Sequence, residues 1–413
     1  MVKVSILIPT RERAFYLPAC LRTALAIPDP DIEVVIADNA STDNTAEVVA
    51  TFDDPRIVYL PSDARVSMRE NFNRALAASR GDYAIVIGDD DAILPGQFAH
   101  LRHLLDTHQP DGISWFKFTY GWPIEGYGKK TGGIRFYRED CFVPPVAYDP
   151  KDDLAKLLSC DLNALYPTPN IYHGCVSRAY LERLAPAPGL YFDSTIPDVN
   201  LQYRATLSGG RFLHLHHPMS INGHSPHSNG GSQAAAPSGS ERAKIAAKFE
   251  SENRADPWDD ILDHAQTIQM VFFATLETVR ERGGFTDIRP DYDKWYSFAL
   301  GALRQKPEHA ERIRKALEEH AQRTGTTAEL ARATAVEATR KRSWSDRLKR
   351  WRSQAASFRL SAALDGVNDV DTAAQVCDGV LGADYAAVIA GQMPPARAWA
   401  QARTRAKGFT RTL

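Results

Sequence analysis

Five cysteines among 413 residues (Cys20, Cys141, Cys160, Cys175 and Cys377) are odd in number and never fall in a Cys-x-x-Cys pair. That argues against a disulfide framework or a thiolate zinc site, and a reducing compartment is the simpler expectation. A run of 18 apolar residues is missing too, so no segment reads as a membrane-spanning helix. The first apolar stretch, Val4 to Ile8, is too short, and too soon followed by Arg11-Glu12-Arg13, to read as a secretory leader. The expected location is the cytoplasm. Charge of one sign does not dominate either: the formal net charge is −2, which gives no global field of the kind that draws a protein to nucleic acid. Glycine is absent where a triphosphate-gripping loop would need it, since the first strand runs into Pro9-Thr10-Arg11-Glu12-Arg13. That counts against nucleotidyl transfer.

What the chain does have is an apolar strand running straight into three carboxylates, Tyr83-Ala84-Ile85-Val86-Ile87-Gly88-Asp89-Asp90-Asp91. Adjacent carboxylates repel unless a cation sits among them, and hard divalent ions take oxygen ligands while leaving positions for substrate phosphates. A solvated acidic turn is the bland alternative. The wider pattern separates the two. Val4 to Ile8 reads as a parallel strand covered on both faces and ends at Pro9-Thr10-Arg11. A second strand, Ile32 to Ala37, ends at Asp38-Asn39. A helix with Leu17, Leu21, Ala24 and Leu25 on one face lies between them, and another follows Asp43 as N-cap. The third strand, Ile57 to Leu60, precedes a helix opened by a Ser67-x-x-Glu70 capping box. Ligands of open α/β sheets bind beyond the carboxyl ends of the strands, so Thr10, Asp38, Asn39 and Asp89 to Asp91 are expected to converge on one crevice.

Four stretches, Val4-Ser5-Ile6-Leu7-Ile8-Pro9-Thr10, Asp38-Asn39-Ala40-Ser41-Thr42-Asp43, Gly81-Asp82-Tyr83 and Gly88-Asp89-Asp90-Asp91-Ala92-Ile93-Leu94-Pro95, together resemble family 2 glycosyltransferases of the GT-A fold. The resemblance covers residues 1 to about 105 firmly and 160 to about 232 loosely. It implies an α/β fold with a GT-A type, Rossmann-like nucleotide-binding sheet flanked by helices over residues 1–232, with 1–105 binding the donor and 106–232 the acceptor. A linker or lid at 233–255 and a mainly helical region at 256–413 would follow. The resemblance further implies a nucleotide-sugar donor (UDP-, dTDP- or similar), Mn²⁺ or Mg²⁺ held by the acidic motif, and transfer with inversion to a hydroxyl of a glycan, lipid-linked or other acceptor. Carried onto this sequence, Asp91 and Asp89 are the metal ligands, and His224, from a cluster with His214, His216, His217 and His227, completes the shell. Pro9, Thr10, Arg11, Asp38, Asn39, Arg69, Asp89 and Asp90 would hold the nucleotide-sugar. Asn39 stands where relatives commonly have a second acid, which leaves the base open. The general base would be Asp198 at a helix start, with Asp193 as the alternative. Thr195-x-x-Asp198 also fits a capping box, in which the carboxylate only satisfies the helix N-terminus.

The rest is less regular. Gly112 to Phe118 and Arg211 to His217 read as strands, and Trp115, Tyr120, Trp122 and Tyr127 are suited either to stack on sugar rings or to fill the core. Gly223 to Ser240 reads as a lid or a linker. Helices are expected in Ile261 to Val279, Trp295 to Leu303 and Ile313 to Ala321. Residues 340–360 place Trp344, Leu348, Trp351 and Phe358 near one face among arginines and lysines, which suits peripheral contact with an anionic membrane or packing against another helix. A homo-oligomer is compatible with the sequence. The competing reading from another class is a non-catalytic module that binds nucleotide-sugar or glycan.

Overall fold

A computed structural model describes residues 3–124, 131–165, 167–226, 251, 253, 261–263, 267–339 and 357–411. Strand and helix alternate from the start: β1 (Val4–Thr10), α1 (Leu17–Leu25), β2 (Ile32–Asp38), α2 (Thr45–Ala50), β3 (Ile57–Pro61), α3 (Met68–Ala78) and β4 (Tyr83–Val86). Every residue of β2 and β4 is buried, as their unbroken apolar runs require of strands covered on both faces. Ser67 caps α3, its hydroxyl accepting the Glu70 N–H at 3.1 Å, whereas the N-cap of α2 is Asn44 rather than the expected Asp43, which accepts the Thr45 N–H at 3.2 Å from one residue earlier. Because β1 pairs in parallel with β2 and β4, and β2 with β3, four carboxyl ends share one edge of the sheet.

The second half of the sheet uses β5 (Ala92–Ile93), β6 (Gly112–Gly121), β8 (Val146–Tyr148), β9 (Gly174–Ser177) and β10 (Phe212–His224), with α4 (Phe98–His108), α5 (Leu154–Leu158), α6 (Arg178–Leu184) and α7 (Pro197–Ser208) between them and β7 (Gly133–Tyr137) outside this sheet. The order across the sheet is β3-β2-β1-β4-β9-β6-β10-β5, with β8 on β10. Two features aim this half at the crevice. β9 is antiparallel to β4, so its amino end, with Tyr172 and His173, arrives where β4 ends. β10 runs seven residues beyond the expected His217, shifts register against β6 between Leu215 and Ser220, and so carries Gly223 onto the acidic run. Only glycine fits there, because a Cβ on Gly223 would lie 1.8 Å from the Asp90 carbonyl oxygen.

Beyond the sheet, α8 (Ile268–Arg282), α9 (Tyr292–Leu300), α10 (Ala302–Gln305), α11 (Ala310–Thr324) and α12 (Thr327–Thr339) form a second core around Phe273, Trp295 and Leu317 that also takes in Tyr203 and Leu207 of α7. Then β11 (Ser357–Ser361), α13 (Val370–Leu381), α14 (Asp384–Ile389) and α15 (Pro395–Arg405) return to the first core. β11 pairs antiparallel with β7, and Phe358 stacks on Phe136 with ring centroids 4.9 Å apart. Arg22 of α1 reaches Asp369 and Asp371, each at 2.7 Å, and Asp378 accepts the Gly96 N–H at 2.8 Å.

The expected α/β sheet flanked by helices, with a mainly helical region after it, is what is observed. Within the expected C-terminal region, 357–411 shares its core with the sheet rather than with α8 to α12. Ser357 to Leu360 are strand, not the end of a basic helix, and the rest of that helix, Trp344 and Trp351 included, lies outside the described residues. So does nearly all of the expected linker or lid.

Candidate active site

The three carboxylates after β4 have different surroundings. Asp91, fully buried, accepts the Gly88 N–H at 2.6 Å, the Gly223 N–H at 2.7 Å and the Tyr172 hydroxyl at 2.5 Å, and faces His173 Nε2 at 3.1 Å. Burial opposes its charge, yet His173 and these donors hold its carboxyl below the usual range. Asp91 thus meets Gly88, Tyr172 and His173 with one oxygen and the Gly223 N–H with the other. It ties β4 to β9 and β10.

Asp89 accepts the Thr10 hydroxyl at 2.7 Å and Arg13 at 3.2 Å, while Asp90 accepts the Ser225 hydroxyl at 2.6 Å with Arg13 at 3.6 Å. One guanidinium thus serves two carboxylates. Burial pushes the Asp90 carboxyl up to about 7, against the pull of Arg13 and with a smaller push from Asp91 and Asp89. Hard oxygen donors gathered in this way fit a small divalent cation. His224 is exposed at the end of β10. Among the described residues no three acidic, histidine or cysteine side chains are grouped closely enough to hold a metal, so the set Asp91, Asp89 and His224 does not assemble.

On the nucleotide side, Pro9 and Thr10 end β1, and Asp38 ends β2 with its carboxylate on the Tyr59 hydroxyl at 2.7 Å and the Ser41 N–H at 3.0 Å. Asn39 gives both ends of its amide to the Val66 backbone, each bond 2.8 Å. That clasp joins the loops after β2 and β3. Glu12, in the left-handed region at φ 54°, accepts the Thr42 and Asp43 N–H groups at 3.2 Å and pairs with Arg65. Burial, then Arg65 and Arg13, push the Arg11 guanidinium down to about 10. Arg69 lies in the first turn of α3 with its side chain mostly buried. Arg13 and Arg65 are candidates that the sequence reading did not single out. Arg13 follows Arg11 by two positions in one loop, which is a usable signal, whereas nothing local marks Arg65.

Asp198 lies in the first turn of α7, half-buried, and accepts the Val199 N–H. Burial raises its carboxyl pKa, and Lys117 and His173 oppose that through space. The capping-box alternative is not formed, because the N-cap is Ile196 and no side chain caps the helix. The other candidate base, Asp193, is buried with one oxygen on Arg204 at 2.6 Å and the other on Asn200 at 2.8 Å. It is an internal ion pair. Next to Tyr172 and His173 opens a cavity of about 280 Å³ lined by Trp115, Lys117, Asn163, Asn170 and Gln202 among others. Trp115, Tyr120 and Trp122 are all buried, and of the three only Trp115 lines this cavity; Tyr127 lies outside the described residues.

Residues 5–150 match the profile of the family described as Glycosyl transferase family 2. The N-terminal part of the chain is similar to that family. The family 2 match takes in Thr10, Asp38 and the acidic run, and it ends before β9, α7 and Asp198. Abequosyltransferase RfbV of Salmonella typhimurium is 32% identical over 109 residues, 25% of this chain and 33% of that one. A Campylobacter jejuni protein named GalNAc(5)-diNAcBac-PP-undecaprenol beta-1,3-glucosyltransferase is 30% identical over 104 residues, 24% of this chain and 34% of that one. The chain thus spans about a third of the length of these curated relatives. Among solved structures, TarS 1–349 of S. aureus in complex with UDP-GlcNAc aligns with a TM-score of 0.43 at 14% identity, covering 81% of this chain and 91% of that one. The mannosyltransferase PcManGT of Pyrobaculum calidifontis, in complex with GDP-Man and Mn²⁺, aligns with a TM-score of 0.40 at 16% identity, covering 83% and 88%.

Proposed function

We propose that the chain is an inverting glycosyltransferase that moves a sugar from a nucleoside-diphosphate donor to an acceptor hydroxyl, with Asp198 as general base. The observation that carries this is the state of Asp198: a carboxylate at a helix start, held by backbone N–H groups of its own turn and by no side chain, within electrostatic reach of Tyr172 and His173, the pair that holds Asp91. The acceptor oxygen would attack the anomeric carbon on the face away from the diphosphate. Its proton passes to Asp198, and the bond to the leaving group breaks with its electron pair going to the phosphate oxygen. Charge growing on that oxygen needs fixed positive groups, and Arg11, Arg13 and Arg65 crowd the loops after β1 and β3, while Arg69 sits in the first turn of α3. Thr10 and Asp38 remain for the ribose. A divalent ion would be held by Asp89 and Asp90 and would supply Lewis-acid stabilisation of the diphosphate.

The names of the two relatives speak for a hexose or deoxyhexose donor and a glycan or lipid-linked acceptor. All five cysteines are free, which suits a reducing, cytoplasmic setting, and among the described residues no helix is long and apolar enough to cross a membrane.

The test pairs donor binding with turnover. Thermal shifts with UDP, dTDP, GDP and CDP, with and without Mn²⁺, identify the nucleotide, because a ligand bound only by the folded state raises stability by mass action. Asp198→Asn should leave that shift nearly unchanged while transfer falls about a hundredfold or more. Nucleotide binding with no turnover on any acceptor would leave only the binding-module reading.

A further inference from the structure

Lys117 projects from β6 into the cavity beside the proposed base, and its ammonium makes no hydrogen bond or ion pair among the described residues. Its acidic neighbours are engaged elsewhere. Asp91 is occupied by Gly88, Gly223 and Tyr172, and Asp198 by the backbone of its own turn. Burial works against the ammonium, which Asp198 and Asp91 support only through space. A partly desolvated cation without a contacting anion is unfavourable, and a bound anion would relieve it.

The groups around Lys117 are equally uncommitted. The side-chain amides of Asn163 and Asn170 make no hydrogen bond among the described residues, and Gln202, which donates to the Leu165 carbonyl at 3.0 Å, keeps its own oxygen open. Trp115 supplies an apolar wall, its Nε1 already bonded to Ser220 at 2.8 Å. Amides that open onto the cavity, one aromatic wall and one cation suit a sugar ring bearing a charged group. At about 280 Å³ the space falls near the lower end of ligand pockets, about 300 Å³, and takes one sugar unit rather than an oligosaccharide.

We infer that this cavity is an acceptor subsite for a sugar that carries an anionic substituent, a carboxylate or a phosphate, with Lys117 as its counter-ion. The inference rests on the transferase reading above, which makes Asp198 the base for a hydroxyl of that sugar or of its neighbour. Lys117 is then a specificity determinant, and neutral sugars are the substrates it disfavours.

Ligand-observed NMR titrations of the whole chain with methyl β-D-glucoside, methyl β-D-glucuronide, glucose 6-phosphate and inorganic phosphate test this without knowledge of the donor. Wild type should bind the glucuronide or the sugar phosphate about tenfold more tightly than the glucoside, in line with one charge-assisted contact, and the tighter of the two names the source of the anion. The preference should vanish in Lys117→Met and persist in Lys117→Arg. Equal affinity for charged and neutral sugars in wild type overturns the inference, as does inorganic phosphate binding as tightly as glucose 6-phosphate, which would mark a bare anion site. A third contrary result is a Lys117→Met variant that keeps the anion preference but shifts the acid limb of the pH–rate profile upward, since Lys117 would then serve Asp198 alone. The two claims also separate. Anion preference without any nucleotide binding sinks the transferase reading, whereas loss of transfer in Asp198→Asn without anion preference sinks only this inference.

Discussion

Around the acidic run, polar side chains answer one another: Asp91 ties three strands together, Asn39 clasps Val66, and Thr10 and Arg13 close on Asp89. Across Tyr172 and His173 the cavity side is the reverse, with Asp198, Lys117, Asn163 and Asn170 unanswered by any side chain among the described residues. Internal pairing rigidifies, and open valence binds. On the proposed reading the donor crevice is built in advance, while the acceptor side is completed by its ligand.

That contrast predicts opposite behaviour for two carboxylates. Asp91→Ala strands the Tyr172 hydroxyl and two N–H groups in the interior and should cost about 3–5 kcal/mol of stability in urea unfolding. A fully stable Asp91→Ala that has lost only metal-dependent binding would overturn the division. Asp198→Asn should lose about 2.7 kcal/mol of transition-state stabilisation, a hundredfold in kcat/KM, yet unfold no more easily than wild type. The sign follows from linkage. Burial raises the folded pKa of Asp198 above its unfolded value, so the folded chain binds more protons between the two values and stability falls as pH rises through that window. At neutral pH the charge is a burden on the fold that the amide removes. For the same reason the acid limb of the rate profile should lie above the usual carboxylate range, and a limb at or below it would show an unperturbed base.

Smaller effects sharpen the donor side. Asp90→Ala should weaken the Mn²⁺-dependent part of nucleotide binding about tenfold, or about 1.4 kcal/mol, read as a smaller thermal shift. Asn39→Ala should destabilise by about 1 kcal/mol through the lost Val66 clasp and leave base preference as it was; a changed preference among UDP, GDP and CDP would return Asn39 to the base. His224→Ala should change neither stability nor the Mn²⁺ response beyond about 0.5 kcal/mol, and loss of that response would restore it to the metal shell.

How far the sequence foretold this differs by kind of information. Strand ends are local, so the parallel edge bearing Thr10, Asp38 and Asp89 to Asp91 is legible from apolar runs and caps. Which of three adjacent aspartates faces inward is not local. It depends on β9 arriving antiparallel with Tyr172 and on β10 slipping register to deliver Gly223, and both events lie more than 80 residues from Asp91. The choice of Asp198 over Asp193 turns on Arg204, one helix face later, whose partner cannot be read from spacing alone. Arg65 is invisible for the same reason, being drawn in by Glu12 from another loop.

The return of β11 to β7 has a bearing on biosynthesis. The two strands lie 222 positions apart in the chain, and β7 leaves the ribosome long before its partner. At the usual elongation rate of about 5–20 residues per second the delay is on the order of ten to forty seconds. Throughout that interval β7, which pairs with β11 alone among the described strands, is left unpaired with its apolar Ile134 and Phe136 open to every neighbouring polysome. Yield in a heterologous host should therefore respond to holdase chaperones and slow growth temperature more than to any change around the acidic run.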